Sequence, residues 1–348
     1  MMTAIPSMID PAFLLCELHR HLDGSVRLST ILELGQRNNL PLPADTLEGL
    51  RPFVQVSEPQ PGVMAFMQKF KWQTIVMVDL DACRRIALEN VLDAAAEGLD
   101  YVELRFSPLF MAETHRLDPE AVTAAVIEGI EEGRRMTGIK VNLVGIISRT
   151  YGVEKGWQEL KTLLAHKHAI TALDLAGDEA NYPGGLFVEH FRAARNAGWH
   201  ITVHAGEADG PHSIWQALEG LGAERIGHCL SAVDDPALMD YLKHARTGIE
   251  CSLTSNVQTS AVAGYAEHPI RAFLEHGLQP SLSTDDPGIS AITISDEYNI
   301  AAPKAGLTHE MIHHLQYNAL ETAFISTSEK QELIRKKQAG QESRVWQP

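Results

Sequence analysis

Positive charge is in short supply. The chain has 29 Lys and Arg against 45 Asp and Glu in 348 residues, a formal charge of −16. That balance lacks the basic footprint needed for phosphate contacts, which argues against nucleic acid as a partner. Cysteine is also sparse: Cys16, Cys83, Cys229 and Cys251 are scattered and form no CxxC pair. A disulfide framework is therefore not expected, and the chain reads as a reduced, cytoplasmic protein. No stretch approaches the ~20 apolar residues of a membrane helix. The N-terminal segment MMTAIPSMIDPAFLLCELHRH lacks the basic start and the long apolar run of a signal peptide. There is no repeat, no Gly/Ser linker, and no GxGxxG or Walker loop. The only loose segment, 41–61, is proline-rich and reads as an insertion within one domain.

What is present is a chain able to bury a large core, 45% hydrophobic and 21% charged, with 16 histidines. Short apolar runs at 13–19, 101–106, 141–147, 170–175, 201–204, 225–229, 248–251 and 281–284 form eight candidate strands. Between several of them lie patterns of helical period, at 80–97, 119–136, 156–166, 187–197, 211–221 and 236–245. Strands alternating with helices imply parallel βα units, either in a closed barrel or in an open doubly wound sheet. Polar clusters end several strands rather than one switch point, which favours the barrel. The expected architecture is a (β/α)8 TIM barrel, one domain over 1–348, with additional helices at about 40–80 and 308–340.

Four clusters could carry chemistry. In His19-Arg20-His21-Leu22-Asp23-Gly24, strand alternation sends both imidazoles to one face, which makes half of a divalent metal site. A chance HxH pair is the plainer reading, and His166-Lys167-His168, at a helix end where the two rings diverge, is an example of one. The strand that begins at His200 ends in His204-Ala205-Gly206-Glu207, where His204 is a further candidate ligand and Glu207 a candidate general acid if burial raises its pKa. His200, at the start of that strand, is read as a spectator. His228 ends Arg225-Ile226-Gly227-His228, either as a catalyst or as a satisfied buried residue. Ser283-Thr284-Asp285-Asp286-Pro287-Gly288 is a turn or, with a cation beside its paired carboxylates, part of a metal site. Only a barrel brings all four to one mouth, where three His and one Asp suit hydrolytic zinc chemistry.

HRHLDG, DLAGDE (174–179), HAGE, RIGH and STDDPG, in this order, resemble the adenosine deaminase family of metal-dependent hydrolases over about residues 14–323. YVELRFSP, ISRT and CSLTSNVQTS look particularly like its bacterial members. The resemblance implies one Zn2+ per chain held by His19, His21, His204 and Asp285. It implies Glu207 as proton donor to purine N1 while hydroxide attacks C6, with His228 orienting or deprotonating the attacking water. Asp286 would bond purine N7, the Gly177 N–H would address N3, and Asp23 would accept from a ribose hydroxyl. Relatives acting on free adenine tend to carry Glu at the position of Asp23, and no cation in the motifs suits a phosphate except the outward-facing Arg20. Adenosine and 2′-deoxyadenosine are therefore the expected substrates, in purine salvage. N6-substituted or aminofutalosine-type substrates are the enzymatic alternative, and a non-catalytic nucleoside sensor the other, which has no need of Glu207. The chain departs from the family in having Cys229, where Gly is usual, with the expectation that its side chain crowds His228 or adds a thiol ligand.

Overall fold

The computed structural model describes residues 7–345. The first six residues, part of the segment read for a leader, lie outside them. Eight strands follow the chain in order: β1 (Cys16–His21), β2 (Tyr101–Phe106), β3 (Lys140–Ser148), β4 (Ile170–Ala176), β5 (His200–Ala205), β6 (Arg225–His228), β7 (Gly248–Cys251) and β8 (Gln279–Leu282). Each pairs in parallel with the next, so the spatial order is the sequence order. The eighth meets the first through a single bridge between Arg20 and Asp285. There the His21 N–H donates to the Asp285 carbonyl at 2.7 Å, and the Asp285 N–H donates to the His19 carbonyl at 3.0 Å. The result is the (β/α)8 barrel expected from the alternating runs.

The helices form where start and stop chemistry agrees with the apolar period. Asp118 accepts from the Glu120 N–H at the head of helix Pro119–Thr137, Pro119 opens the first turn, and Gly138 ends it at φ +73°. Its apolar stripe, including Val122, Val126 and Ile130, is buried against the barrel. Asp79 caps helix Leu80–Ala96 in the same way, accepting from the Ala82 N–H.

Three boundaries differ from the sequence reading. β1 starts three residues later and runs on through His21, because Leu14 and Leu15 are buried without strand pairing. β8 ends at Leu282, so Ser283 to Asp286 form the turn beyond it. The loose 41–61 segment folds in part into helix Leu47–Val54, started by Thr46 and carrying Pro52 inside it. Helices Val63–Phe66 and Phe70–Thr74 follow and cover the barrel mouth. At the opposite end, helix His309–Thr322 closes the barrel floor, where the Thr322 carbonyl accepts from Arg225 and Asn318 donates to the Pro280 carbonyl at 3.0 Å. Among the described residues, no helix is long and apolar enough to cross a membrane.

The barrel interior is charged as well as apolar. Glu103, Arg105, Asp174, Arg225 and Glu250 project inward and are buried. Arg105 donates to Asp174 at 2.8 Å and to Glu250 at 2.7 Å, while Arg225 donates to Glu250 at 2.7 Å and also to Glu103. Every charge in this layer has an opposite partner, as burial demands. The layer lies directly beneath the strand ends that carry the motifs.

Candidate active site

The C-terminal ends of the strands surround a cavity of about 670 Å³, counted to its open mouth. His21, Asp23, His204, Glu207, His228 and the Asp285–Asp286 pair form its polar floor. Val63, Phe66, Met67, Phe70, Phe110 and Ile146 contribute the apolar wall. No Lys or Arg lines it among the described residues.

All the sequence-predicted residues arrive here. Ligand atoms of His19, His204, His228 and Asp285 lie within 4.8 Å of one another, and all four residues are buried. His21 joins them, its Nε2 3.2 Å from His204 Nε2 and 3.3 Å from Asp285 Oδ1. His166 and His168 are not part of this cluster, and the exposed His200 turns its Nδ1 to Glu224 at 2.9 Å.

The donor set calls for a cation. His19 Nδ1 lies 2.7 Å from Glu250 and His204 Nδ1 lies 3.0 Å from Asp174, so each Nδ1 carries the hydrogen that its carboxylate accepts. Each Nε2 is then a bare lone pair. That of His19 is buried without a hydrogen-bond partner and faces Asp285 Oδ1 at 3.1 Å; that of His204 faces His21. The lone pair of His19 and the Asp285 oxygen repel at this distance unless a positive ion sits beside them. Burial lowers the pKa of His204 to about 3 and also lowers that of His19, which keeps both rings in the neutral form that ligates. The residues fit a divalent metal, with carboxylates behind two of the histidines fixing their orientation.

Glu207 stands on the cavity wall, its Oε2 3.6 Å from His228 Nε2. Burial pushes its carboxyl up to about 7, so a large fraction is protonated at neutral pH. Beside it, Asp286 is raised well above the carboxylate range by burial and then by the adjacent Asp285. Gly24 makes room for Asp286: a Cβ there would come within 1.8 Å of its Oδ1. Gly177 lies at φ +111°, and a Cβ would meet Thr150 Oγ1 at 2.5 Å. The backbone of the DLAGDE turn thus requires glycine whether or not a ligand approaches it.

Several contributors had no role legible from the motifs. Glu179 accepts from the Gly206, Glu207 and Ala208 N–H groups at 2.5, 3.1 and 2.7 Å, pinning the loop that presents Glu207. Ser255 donates to Asp285 Oδ2 at 2.7 Å, and Glu17 accepts from the Thr284 N–H at 2.8 Å to hold the turn after β8. Inward parity within a strand was the available signal for Arg105 and Glu250; Glu179 and Ser255 sit inside DLAGDE and CSLTSNVQTS, which do not reveal their partners.

Arg20 points out of the barrel as expected and is buried there, 3.3 Å from Glu17 and donating to Glu97. One expectation needs correction. Cys229 neither joins the donor cluster nor lines the cavity. Its backbone is left-handed at φ +60°, its N–H donates to the Gly227 and Ala205 carbonyls, and its side chain is buried in the apolar core. Burial raises its thiol pKa, which suppresses the thiolate that a metal would bind.

Comparison with known proteins agrees with this geometry. The chain is 56% identical over 329 residues to the adenosine deaminase of Klebsiella pneumoniae (strain 342), an alignment covering 94% of this chain and 99% of that protein. It is equally similar, over the same coverage, to the adenosine deaminase of Salmonella typhi. In fold it is similar to the crystal structure of an adenine deaminase from Arthrobacter aurescens, with TM-score 0.85 and 22% identity over 95% of this chain and 99% of that one. The family model described as adenosine deaminase matches residues 15–339, and the chain belongs to that family.

Proposed function

We propose that this chain is a zinc-dependent hydrolase that converts adenosine and 2′-deoxyadenosine to the inosine products and ammonia, acting in the cytoplasm in purine salvage. The observation that carries the reading is the placement of Glu207. A largely buried carboxyl whose pKa is raised to about 7 faces a cavity floored by a donor set that suits a cation.

His19, His21, His204 and Asp285 would hold one zinc ion per chain. His21 is preferred to His228 because its Nε2 lies closer to Asp285, 3.3 Å against 3.9 Å, and within 3.2 Å of His204. When bound, zinc supplies a nucleophile at neutral pH by lowering the pKa of water to ~7.

The chain's own residues do the rest. Protonated Glu207 donates to purine N1, which makes C6 a better electrophile and offsets the charge that builds up on the ring. His228, beside both Glu207 and Asp285, positions the attacking oxygen. Purine N7 only accepts, so Asp286 bonds it in its protonated form, the form that burial favours. The Gly177 N–H addresses N3. Asp23 has one oxygen 3.2 Å from the Ser107 N–H and lines the cavity, where it can accept from a ribose hydroxyl. The apolar wall excludes water and receives the base.

The absence of any Lys or Arg from the cavity lining favours a nucleoside over a nucleoside monophosphate. The deciding experiment follows the ultraviolet change from adenosine to inosine, with and without a chelator, and repeats it with adenine and AMP. Chelator-sensitive turnover of adenosine, faster than that of the other two, is expected. Faster turnover of adenine than of adenosine would overturn the nucleoside reading.

A further inference from the structure

We infer that His268, outside the cavity, is a positioning residue that fixes the tautomer of His228 through Asn256. The inference deepens the role proposed above for His228 and rests on it.

The chain of contacts starts at a group whose direction is not in question. The backbone N–H of Ile270 can only donate, and it points at His268 Nδ1, 3.1 Å away. That nitrogen therefore accepts, and a neutral ring must carry its hydrogen on Nε2. His268 is buried and its pKa is lowered to about 3 by that burial, so the neutral ring is the relevant one. Its Nε2–H then donates to Asn256 Oδ1 at 3.1 Å. With the oxygen of the carboxamide committed to His268, the amide nitrogen must lie on the other side. There it is 3.0 Å from His228 Nδ1 and 3.4 Å from Glu207 Oε1.

An amide nitrogen has only hydrogens to offer. His228 Nδ1 must accept, and its hydrogen is displaced to Nε2, the nitrogen facing Glu207 Oε2 and Asp285 Oδ2. His228 thus differs from its neighbours in the cluster by what stands behind it. His19 and His204 have carboxylates at Nδ1 and present lone pairs; His228 has an amide at Nδ1 and presents an N–H. That makes it a poor metal ligand and a poor base, but a suitable hydrogen-bond donor to the oxygen that attacks the substrate. The same amide approaches Glu207, so one side chain sets the hydrogens of both groups flanking the reacting centre. Asn256 and His268 are both buried, so neither side chain is open to bulk solvent.

The test is a long-range 1H–15N correlation spectrum of the zinc-loaded full chain labelled with 15N-histidine, with His228 assigned by its loss in His228→Gln. The expected result is a single Nε2–H tautomer for His228. His268→Phe, which removes the donor and keeps an aromatic ring, should give mixed tautomers and lower kcat by roughly tenfold or more. KM and zinc content should move by less than about twofold in that variant. His268→Gln retains an N–H for Asn256 and should restore most of the loss. Asn256→Asp, which offers only acceptors to Nδ1, should drive His228 to the opposite tautomer. A wild-type His228 protonated at Nδ1 would overturn the inference, and so would an unchanged His228 spectrum in His268→Phe. Should that variant not fold, the wild-type and His268→Gln spectra still decide. The spectra need no substrate, so a failure of the adenosine reading would appear separately, as absent turnover with the tautomer intact.

Discussion

The Nδ1 of His19 lies 2.7 Å from Oε2 of Glu250, so a carboxylate on β7 decides which nitrogen of a β1 histidine faces Asp285. Glu250 is itself held by Arg105 and Arg225 and accepts from Thr202, which leaves it little freedom to turn. Glu250→Gln should therefore weaken zinc binding by about 10–100-fold, the usual effect of losing a carboxylate behind a ligand histidine. Competition against a chromophoric chelator measures it. Because the change also leaves Arg105 and Arg225 short of a negative partner, the melting temperature should fall as well.

Glu207→Gln keeps the shape of the side chain and removes the transferable proton. Turnover of adenosine should fall by about 10²–10⁴, the range typical of a lost general acid. Zinc content and purine binding should be retained, as read by metal analysis and by titration with a slowly reacting or inert purine. Wild-type activity in this variant would exclude Glu207 as the acid.

The pH dependence follows from the same carboxyl. Its pKa is raised to about 7 by burial, and catalysis needs the protonated form. As pH rises through 7 that form is depleted, so kcat/KM for adenosine should decline on the alkaline side. Residual activity in Glu207→Gln should lack this decline. Rate profiles measured between pH 5.5 and 9 on both proteins separate the two cases.

Asp285→Ala should lose the metal outright, in contrast to Glu207→Gln. Zinc removal from the wild-type chain should lower its melting temperature reversibly. An ion present at a thousandfold its Kd contributes about 4 kcal/mol to the folded state. Calorimetry before chelation, after it, and after adding zinc back checks the point.

Gly177→Ala places a Cβ against Thr150 Oγ1 at a backbone angle that L side chains rarely adopt. Strain of this kind costs about 1–3 kcal/mol. The turn beside the cavity should shift to relieve it, raising KM for adenosine more than it lowers kcat. A steady-state comparison at saturating zinc reads the split.

The barrel was legible because β3, β4 and the helix Pro119–Thr137 obey local rules: apolar runs of strand length, capping residues and a 3.6-residue stripe. The floor of the site was legible because its residues end different strands, and only closure unites them. What local patterns could not show were long-range pairings. Arg105 looks like one charge in YVELRF until the fold puts it between Asp174 and Glu250. Glu179 looks like the end of a turn until the Gly206 to Ala208 amides close on it. His268 is a lone histidine before a proline, with nothing nearby to suggest that it faces Asn256. The reach of β1 through His21 depends on pairing with β2 and on the bonds to Asp285, which no local preference reports.

The bridge between Arg20 and Asp285 has a consequence for biosynthesis. The first and last strands of the barrel meet beside His19, His21 and Asp285, so the seam and the proposed ion site are completed by one event. A ribosome-bound chain that has not yet released β8 has His19, His21 and His204 but neither Asp285 nor a closed wall. On the ligand set proposed above, tight capture of the ion awaits the arrival of Asp285 behind the eighth strand, while the helix His309–Thr322 that closes the floor is still to come.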